Sequence, residues 1–181
     1  MTQILRVVGL SGDFSRIPPD VLSAAWDRGS AVHEAIAAHH YEYDFDLAPE
    51  WKPWVDAYLR FAEESKHVPT VSEGYVRHDA WGYCGRLDRI GWVTLEGFTG
   101  HRTVLDFKSG GAEAVDLQLA GYAAAWNAMH VKEPIDRSAA VALRKDGTYR
   151  FIPFDLRAAI PEWYATVTVY RRLMRARGGK Q

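Results

Sequence analysis

Two acids and a lysine have the spacing of a metal-assisted hydrolytic site. Asp106 and Lys108 stand two positions apart in an apolar segment, and Asp88 precedes Asp106 by 106 − 88 = 18 residues. Alternate residues of a strand point to one face. Asp106 and Lys108 should therefore project together, while Leu105 and Phe107 project to the opposite, buried side. Eighteen residues allow a turn and a returning strand, so that two carboxylates and one ammonium can converge.

Such a trio can hold a hard divalent cation beside a fixed positive charge. Mg²⁺ takes oxygen ligands, usually one or two carboxylates together with water and phosphate. An ion held in this way polarises a phosphate and lowers the pKa of an attacking water. A lysine beside it can stabilise developing charge, or position or deprotonate the nucleophile. The alternative is a surface salt bridge among Asp88, Asp106 and Lys108, and the spacing taken alone favours that alternative.

A helix predicted just after the lysine adds two polar side chains. Gln118 and Tyr122 are four positions apart, so they share one face of that helix. A helix that begins close to Lys108 can aim this face at the two acidic strands. On spacing alone, a half-buried helix on which two polar residues align by chance explains the pair better.

The elements that position these residues change in character at Pro69. Before it, the pattern predicts a helix from Pro19 that is interrupted at Gly29 and resumes to His39, and another helix from Pro53. After it, the pattern predicts strands at 71–83, 85–93 and 103–107, a helix at 114–129, a hairpin of 139–144 with 149–154, and a helix at 156–175. This order indicates an α/β fold with a central mixed β-sheet flanked by helices. We predict one domain over 1–181, with an N-terminal helical part at 1–69 and the sheet with its flanking helices at 70–181.

Composition limits the classes of function. The chain has 181 residues and a formal net charge of −1, so an anionic partner must be held by a local patch or by bound cations. Cys84 is the single cysteine, which excludes a disulfide framework and a Cys-ligated zinc or iron–sulfur cluster. No apolar run reaches the length of a membrane span. We therefore expect an intracellular, cytoplasmic protein with no membrane partner.

Four segments in order resemble the RecB-like branch of the PD-(D/E)XK nucleases. That branch has a histidine on an N-terminal helix, a G-x-x-D-R segment, a D-x-K strand and a Q-x-x-x-Y helix. The matching segments are 28–33, 85–90, 105–110 and 118–122. Many relatives have Glu where this chain has Asp106, although aspartate also occurs. Members with an iron–sulfur cluster need four cysteines, so the chain resembles the small stand-alone phage and bacterial exonucleases without one.

The resemblance implies a restriction-endonuclease-like core with extra N-terminal helices. It also implies a DNA nuclease of exonuclease type that depends on Mg²⁺ or Mn²⁺ and serves recombination, repair or genome processing. Water would attack the phosphodiester directly and leave a 5′-phosphate. DNA is the implied partner, with a recombination or single-strand-binding protein as a further one. A catalytically inactive nuclease-fold module that binds DNA or protein is the alternative, as is a structural module whose acids and lysine form salt bridges.

Individual roles follow from the same resemblance. Asp88, Asp106 and Lys108 would be catalytic, and the metal ligands would be His33, Asp88, Asp106 and the backbone carbonyl of Phe107. Gln118 and Tyr122 would contact DNA or steady the site. Arg28 could meet a substrate phosphate, with a helix-end salt bridge as the equal alternative.

Three further features carry weaker expectations. Glu73 lies on a strand that could bring it near Arg28 or the metal, but we favour an interpretation in which it stays outside the site. The arginines at 171–177 could track a nucleic-acid backbone, although a solvated helix face is the favoured interpretation. The tryptophans are expected mostly in the core, with one or two exposed indoles free to stack on unpaired bases.

Overall fold

The computed structural model describes residues 1–10, 15, 17–110 and 115–178, which form a mixed five-stranded sheet with helices on both faces. The helices are α1 (Thr2–Val7), α2 (Pro19–His40), α3 (Lys52–Glu64), α4 (Val115–Met129) and α5 (Leu156–Gly178), with a 3₁₀ turn at Pro49–Trp51 before α3. The strands are β1 (Val68–His78), β2 (Tyr83–Trp92), β3 (Thr103–Lys108), β4 (Arg137–Leu143) and β5 (Tyr149–Phe154). The predicted α/β class and mixed sheet are confirmed. The predicted start of α4 at residue 114 and part of the preceding glycine turn lie outside the described residues.

Strand order in the sheet follows the chain, β1-β2-β3-β4-β5. β3 and β4 are parallel and every other neighbouring pair is antiparallel. A parallel pair needs a crossover connection, and α4 supplies it by crossing one face of the sheet. In consequence, the helix that begins after β3 packs over the face on which Asp106 and Lys108 lie.

Each face of the sheet has its own core. On one face, Val104 of β3 packs in a cluster with residues of α1, α4 and α5. On the other, Leu105 and Phe107 pack with α2 and α3. The expected alternation along β3 is therefore confirmed.

α2 runs unbroken through Gly29 for 22 residues, so the predicted interruption there is wrong. A glycine inside a helix costs only about 1 kcal/mol relative to alanine. Val32 and Ile36, which follow it, are buried in the core that α2 forms with the sheet, and this packing offsets that cost. The continuous helix keeps Arg28 and His33 on one rigid element.

α4 and α5 approach closely at Gly121. A Cβ at this position would lie 2.7 Å from Cε2 of the fully buried Trp163 and 2.5 Å from Met1 Sδ. Small residues at 120, 121 and 123–125 let α4 lie almost wholly inside the protein. No helix in the described ranges is both long and apolar enough to cross a membrane.

Candidate metal centre

The two predicted catalytic acids lie where β2 and β3 stop pairing. Arg89 and Leu105 form the last pair of the register, and Asp88 and Asp106 are the next residues on the two strands. Past that point, the Phe107 N–H donates its hydrogen bond to a side chain of β2 and not to a backbone carbonyl. The acceptor is Asp88 Oδ2, at 2.9 Å. Both acids thus occupy an opening between two strands.

Asp106 and Lys108 form a buried ion pair in this opening. Lys108 Nζ donates to Asp106 Oδ1 at 3.1 Å and lies 2.9 Å from Oδ2. The Asp106 side chain is 2% exposed and that of Lys108 25%. Burial alone lowers the pKa of Lys108, but the carboxylates of Asp106 and Asp88 raise it above its ordinary value. The side chain is therefore a charged ammonium at neutral pH.

Three donor groups from three elements meet beside that pair. His33 Nδ1, from α2, lies 3.6 Å from Asp88 Oδ2 on β2 and 3.8 Å from Glu73 Oε1 on β1. One donor atom from each residue falls within 4.8 Å of the other two. Atoms this close can share one ion at ordinary metal–ligand distances of about 2.0–2.6 Å.

Glu73 joins this group, so the interpretation that kept it outside the site is wrong. The flanking pairs of the β1–β2 register put Glu73 directly opposite Asp88. Its backbone has a φ of 53°, a left-handed conformation that is uncommon for residues other than glycine. At such a residue the alternation of a regular strand no longer predicts side-chain direction. Gly74, a glycine inside a strand pattern, was the one sequence signal of an irregularity here.

Two arginines missed by the sequence analysis hold the donor groups. Arg86 Nε lies 2.9 Å from Glu73 Oε2, the carboxylate oxygen other than the one nearest His33. Arg89 is 1% exposed, and its Nη2 donates to the Ile36 carbonyl of α2 at 3.3 Å. The first fixes a carboxylate and the second ties the helix that carries His33 to the sheet.

The close approach of His33 and the acids in this opening shifts the pKa values of His33 and Asp88. Burial by itself lowers the pKa of His33, yet the neighbouring carboxylates of Glu73, Asp88 and Asp106 raise it to about 9. Burial, followed by repulsion from Asp106, raises the pKa of Asp88 to about 7 against the opposing effects of His33, Lys108 and the Phe107 N–H. A bound cation would favour the ionised form of Asp88 and offset its repulsion from Asp106.

The donor set fits a divalent cation bound by nitrogen and oxygen. Imidazole and two carboxylates supply the three clustered donors. Asp106 Oδ2 adds a buried oxygen that, among the described residues, receives no hydrogen bond of good geometry although Lys108 Nζ is 2.9 Å away. His33, Glu73 and Asp88 could therefore hold the ion, with Asp106 adjacent.

Of the four predicted ligands, the structure brings His33 and Asp88 into the donor group and leaves Asp106 beside it. Phe107 contacts the site through its N–H, which donates a hydrogen bond to Asp88 Oδ2. In a strand the N–H and C=O of one residue point to the same side. The Phe107 carbonyl thus faces the same opening, and its role as a ligand stays a prediction.

Gln118 and Tyr122 lie on the α4 side of the acids. Gln118 Nε2 donates to the Tyr122 hydroxyl at 2.9 Å, and Tyr122 is only 5% exposed. Burial, and after it the nearby acids, raise the pKa of this tyrosine. A Cβ at Gly85 would lie 2.8 Å from Tyr122 Cε1, so the glycine of the G-x-x-D-R segment makes room for the ring. These contacts suit a pair that steadies the site, and contact with DNA stays a prediction.

Arg28 braces the end of β3. Its Nη2 donates to the Ser109 carbonyl at 3.2 Å, and its guanidinium lies 5.0 Å above the ring of Trp54 on α3. The arginine thereby links α2, α3 and the residue after Lys108. Its contact with a substrate phosphate stays a prediction.

Comparison with known proteins gives neither a matching family model nor a matching curated protein for this chain.

Proposed function

We propose that the chain is a DNA nuclease of exonuclease type that depends on Mg²⁺ or Mn²⁺ and hydrolyses phosphodiester bonds with an activated water. One observation supports this most strongly. The donor atoms of His33, Glu73 and Asp88 meet next to the buried pair of Asp106 and Lys108. Separate salt bridges on a solvated sheet would not need acids this crowded or this buried.

Three residues would bind the metal ion, and Lys108 would stabilise negative charge on the phosphate. His33, Glu73 and Asp88 would hold the divalent cation, which when bound supplies Lewis acidity and lowers the pKa of an attacking water. Lys108 would place its ammonium against the phosphate oxygens, where negative charge increases in the transition state. The carboxylates of Asp106 and Asp88 raise the pKa of Lys108, which suits a role as a cation and hydrogen-bond donor.

The choice of DNA, the exonuclease mode and the place in recombination, repair or genome processing rest on the resemblance to the RecB-like nucleases. Three of the four motif segments contribute side chains to the candidate centre or to the ion pair beside it, and the fourth places Tyr122 next to Gly85 of the second segment. His33 and Asp88 donate to the centre, Lys108 pairs with Asp106, and Gln118 binds Tyr122 behind them. A mixed sheet with flanking helices is the architecture that the resemblance implies.

Cleavage of labelled linear and circular DNA, single- and double-stranded, tests the proposal with Mg²⁺, Mn²⁺ or EDTA. Wild type should degrade linear DNA only with metal, and Lys108→Ala should lower the rate at least about 100-fold. Lys145→Ala, which removes an exposed lysine in the turn after β4, is the matched control and should cut normally.

Each other result has a definite meaning. Activity that persists in EDTA or in Lys108→Ala would refute the proposed metal-dependent mechanism. Cleavage of circular DNA would replace the exonuclease mode by an endonuclease mode. Binding of DNA without cleavage in either metal would favour the inactive nuclease-fold module.

A further inference from the structure

One face of the hairpin formed by β1 and β2 is open to solvent beside the candidate metal centre. Four residues form it, and we call them the hairpin face: Tyr75, Arg77, Cys84 and Arg86. The register pairs Tyr75 with Arg86 and Arg77 with Cys84, so the four side chains form two adjacent cross-strand rows. Tyr75 is 61% exposed, the side chains of Arg77 and Arg86 are 61% and 69% exposed, and Cys84 is exposed as well.

The reverse side of the same hairpin is fixed in the core. Val76, Tyr83 and Leu87 pack there with α4 and α5. The backbone that carries the hairpin face is therefore held rigidly, and a ligand that binds there meets a preformed surface. Such a surface binds with little loss of conformational entropy.

The hairpin face continues directly into the metal centre. Arg86, in the first row, lies 2.9 Å from the Glu73 carboxylate whose other oxygen faces His33. Tyr75 follows Glu73 by two residues, which is about 7 Å along a strand. A polymer with a phosphate at the centre can thus place its adjacent unit against Tyr75.

The far end of the hairpin carries more positive charge and aromatic surface. The Arg77 side chain forms an ion pair with the exposed Asp79 at the turn, with Nε 2.7 Å from Oδ1. Within the turn, Trp81 stacks on Tyr164 on the side that packs against the core, and the Arg171 guanidinium lies 5.5 Å above the Trp81 ring. Cations therefore accompany the hairpin from the metal centre to its tip.

We propose that the hairpin face binds unpaired nucleotides of the strand that enters the site, with a base stacked on Tyr75 and phosphates against Arg77 and Arg86. This inference rests on the proposed nuclease function and adds a preference for single-stranded ends. An exposed aromatic ring between arginines is the combination that holds single strands without reading their sequence. Duplex DNA offers phosphates to the same arginines but keeps its bases stacked inside, away from the tyrosine.

Binding of a short labelled oligothymidylate, and of a blunt hairpin duplex with the same number of phosphates, tests the inference by fluorescence anisotropy. Measurements in EDTA and in Ca²⁺, with gels to confirm intact substrate, separate binding from cleavage. Tyr75→Ala should weaken single-strand binding about tenfold, whereas Tyr75→Phe, which keeps the ring, should bind like wild type. Arg77→Ala should weaken it and lower the slope of log K against log salt by about 0.7. Arg150→Ala, an exposed arginine on the opposite edge strand β5, is the matched control and should change nothing.

Results that contradict single-strand binding by the hairpin face can be told apart from results that contradict the nuclease function. Equal losses for single strand and duplex, no loss in Tyr75→Ala, or no single-strand binding by wild type would each overturn the inference, even if the protein cleaves DNA. If Tyr75→Ala instead shifts the elution of the protein in size-exclusion chromatography and leaves DNA binding intact, the face is a self-association surface and the inference fails. A protein that cuts no DNA but loses single-strand binding in Tyr75→Ala would refute the nuclease function alone and support the hairpin face.

Discussion

His33 provides the nitrogen donor of the candidate centre, and its contribution is measurable as a metal requirement. We predict that His33→Ala and Glu73→Gln each raise the Mn²⁺ concentration for half-maximal cleavage at least about tenfold. The first removes one of three clustered donors, and the second replaces a carboxylate donor by a neutral, weaker amide oxygen. Titration of activity against Mn²⁺ gives the value, and circular dichroism checks the fold. Glu34→Gln, an exposed neighbour on α2, should titrate like wild type.

An unchanged titration in His33→Ala would reduce His33 to a scaffold residue. The same assay on Asp106→Asn separates two roles for that acid. A large shift in metal requirement would make Asp106 a ligand, whereas loss of maximal rate at an unchanged requirement would make it the partner that positions Lys108.

His67 gives the folded state a pH dependence of its own. Its Nδ1 lies 3.2 Å from the Trp92 carbonyl, and its Nε2 is buried without a hydrogen-bond partner in the described structure. Burial lowers its pKa to about 4, whereas an unfolded histidine titrates near 6.5. Between these values the unfolded chain binds a proton that the folded chain does not. The contribution to the free energy of unfolding is therefore complete above about pH 6.5 and is lost as the pH falls towards 4.

We predict that His67→Gln removes about 2–3 kcal/mol of this pH dependence, because the amide can donate to Trp92 but does not titrate. Urea unfolding of both proteins at several pH values from 4 to 7 measures the difference. Parallel stability curves for the two proteins over that range would contradict the assignment.

At the scale of residues, spacing predicted much of the site but not all of it. The pair Asp106 and Lys108 could be predicted because two-residue spacing on a regular strand fixes a shared face. Glu73 could not, because its left-handed backbone breaks that regularity. The buried link from Arg89 to Ile36 depends on how a helix packs on a sheet, which the local sequence does not contain.

At the scale of elements, two helical glycines should respond to alanine in opposite directions. In α2, a Cβ at Gly29 would meet, among the described residues, only Ser109 Oγ at 3.8 Å, which is an ordinary contact. Gly29→Ala should therefore stabilise the protein by about 0.5–1 kcal/mol. In α4, a Cβ at Gly121 would lie 2.7 Å from the buried Trp163 ring. Overpacking costs about 1–3 kcal/mol and exceeds the helix-propensity gain. Gly121→Ala should therefore destabilise it.

Urea midpoints of the two variants and wild type measure both signs in one experiment. Stabilisation by Gly121→Ala would mean that α4 and α5 can separate without loss, contrary to the close approach at Trp163.

The long elements were predictable and their junctions were not. The predicted hairpin of 139–144 with 149–154 is confirmed as β4 and β5, which pair antiparallel. It was predictable because Asp146 and Gly147, between the two segments, form a dipeptide that strongly favours a tight turn. The predicted break of α2 failed because burial of Val32 and Ile36 outweighs the local preference of Gly29. The point at which β2 and β3 stop pairing could not be predicted either, because each strand has an unbroken strand pattern in the sequence. It depends on how all the strands of the sheet are arranged.

At the scale of the whole molecule, the helical part at 1–69 packs into the cores on both faces of the sheet. Val32, Phe61 and other residues of α2 and α3 pack on Leu105 and Phe107 of β3, while β3 also contributes Val104 to the opposite core. We predict a single cooperative unfolding transition for the chain, as for one domain. Tryptophan fluorescence and far-ultraviolet circular dichroism should give the same urea midpoint. Loss of helical signal before the fluorescence change would instead indicate that 1–69 unfolds separately.

The backbone of Glu73 sets a limit on how this protein can be made more stable. A left-handed angle costs a residue with a Cβ about 1–2 kcal/mol that glycine does not incur. Glu73→Gly should thus raise the free energy of unfolding while it removes a carboxylate from His33 and Asp88. Stability and metal affinity have opposite optima at this one position. A consensus or computational redesign that scores the fold alone would choose the glycine and lose the centre.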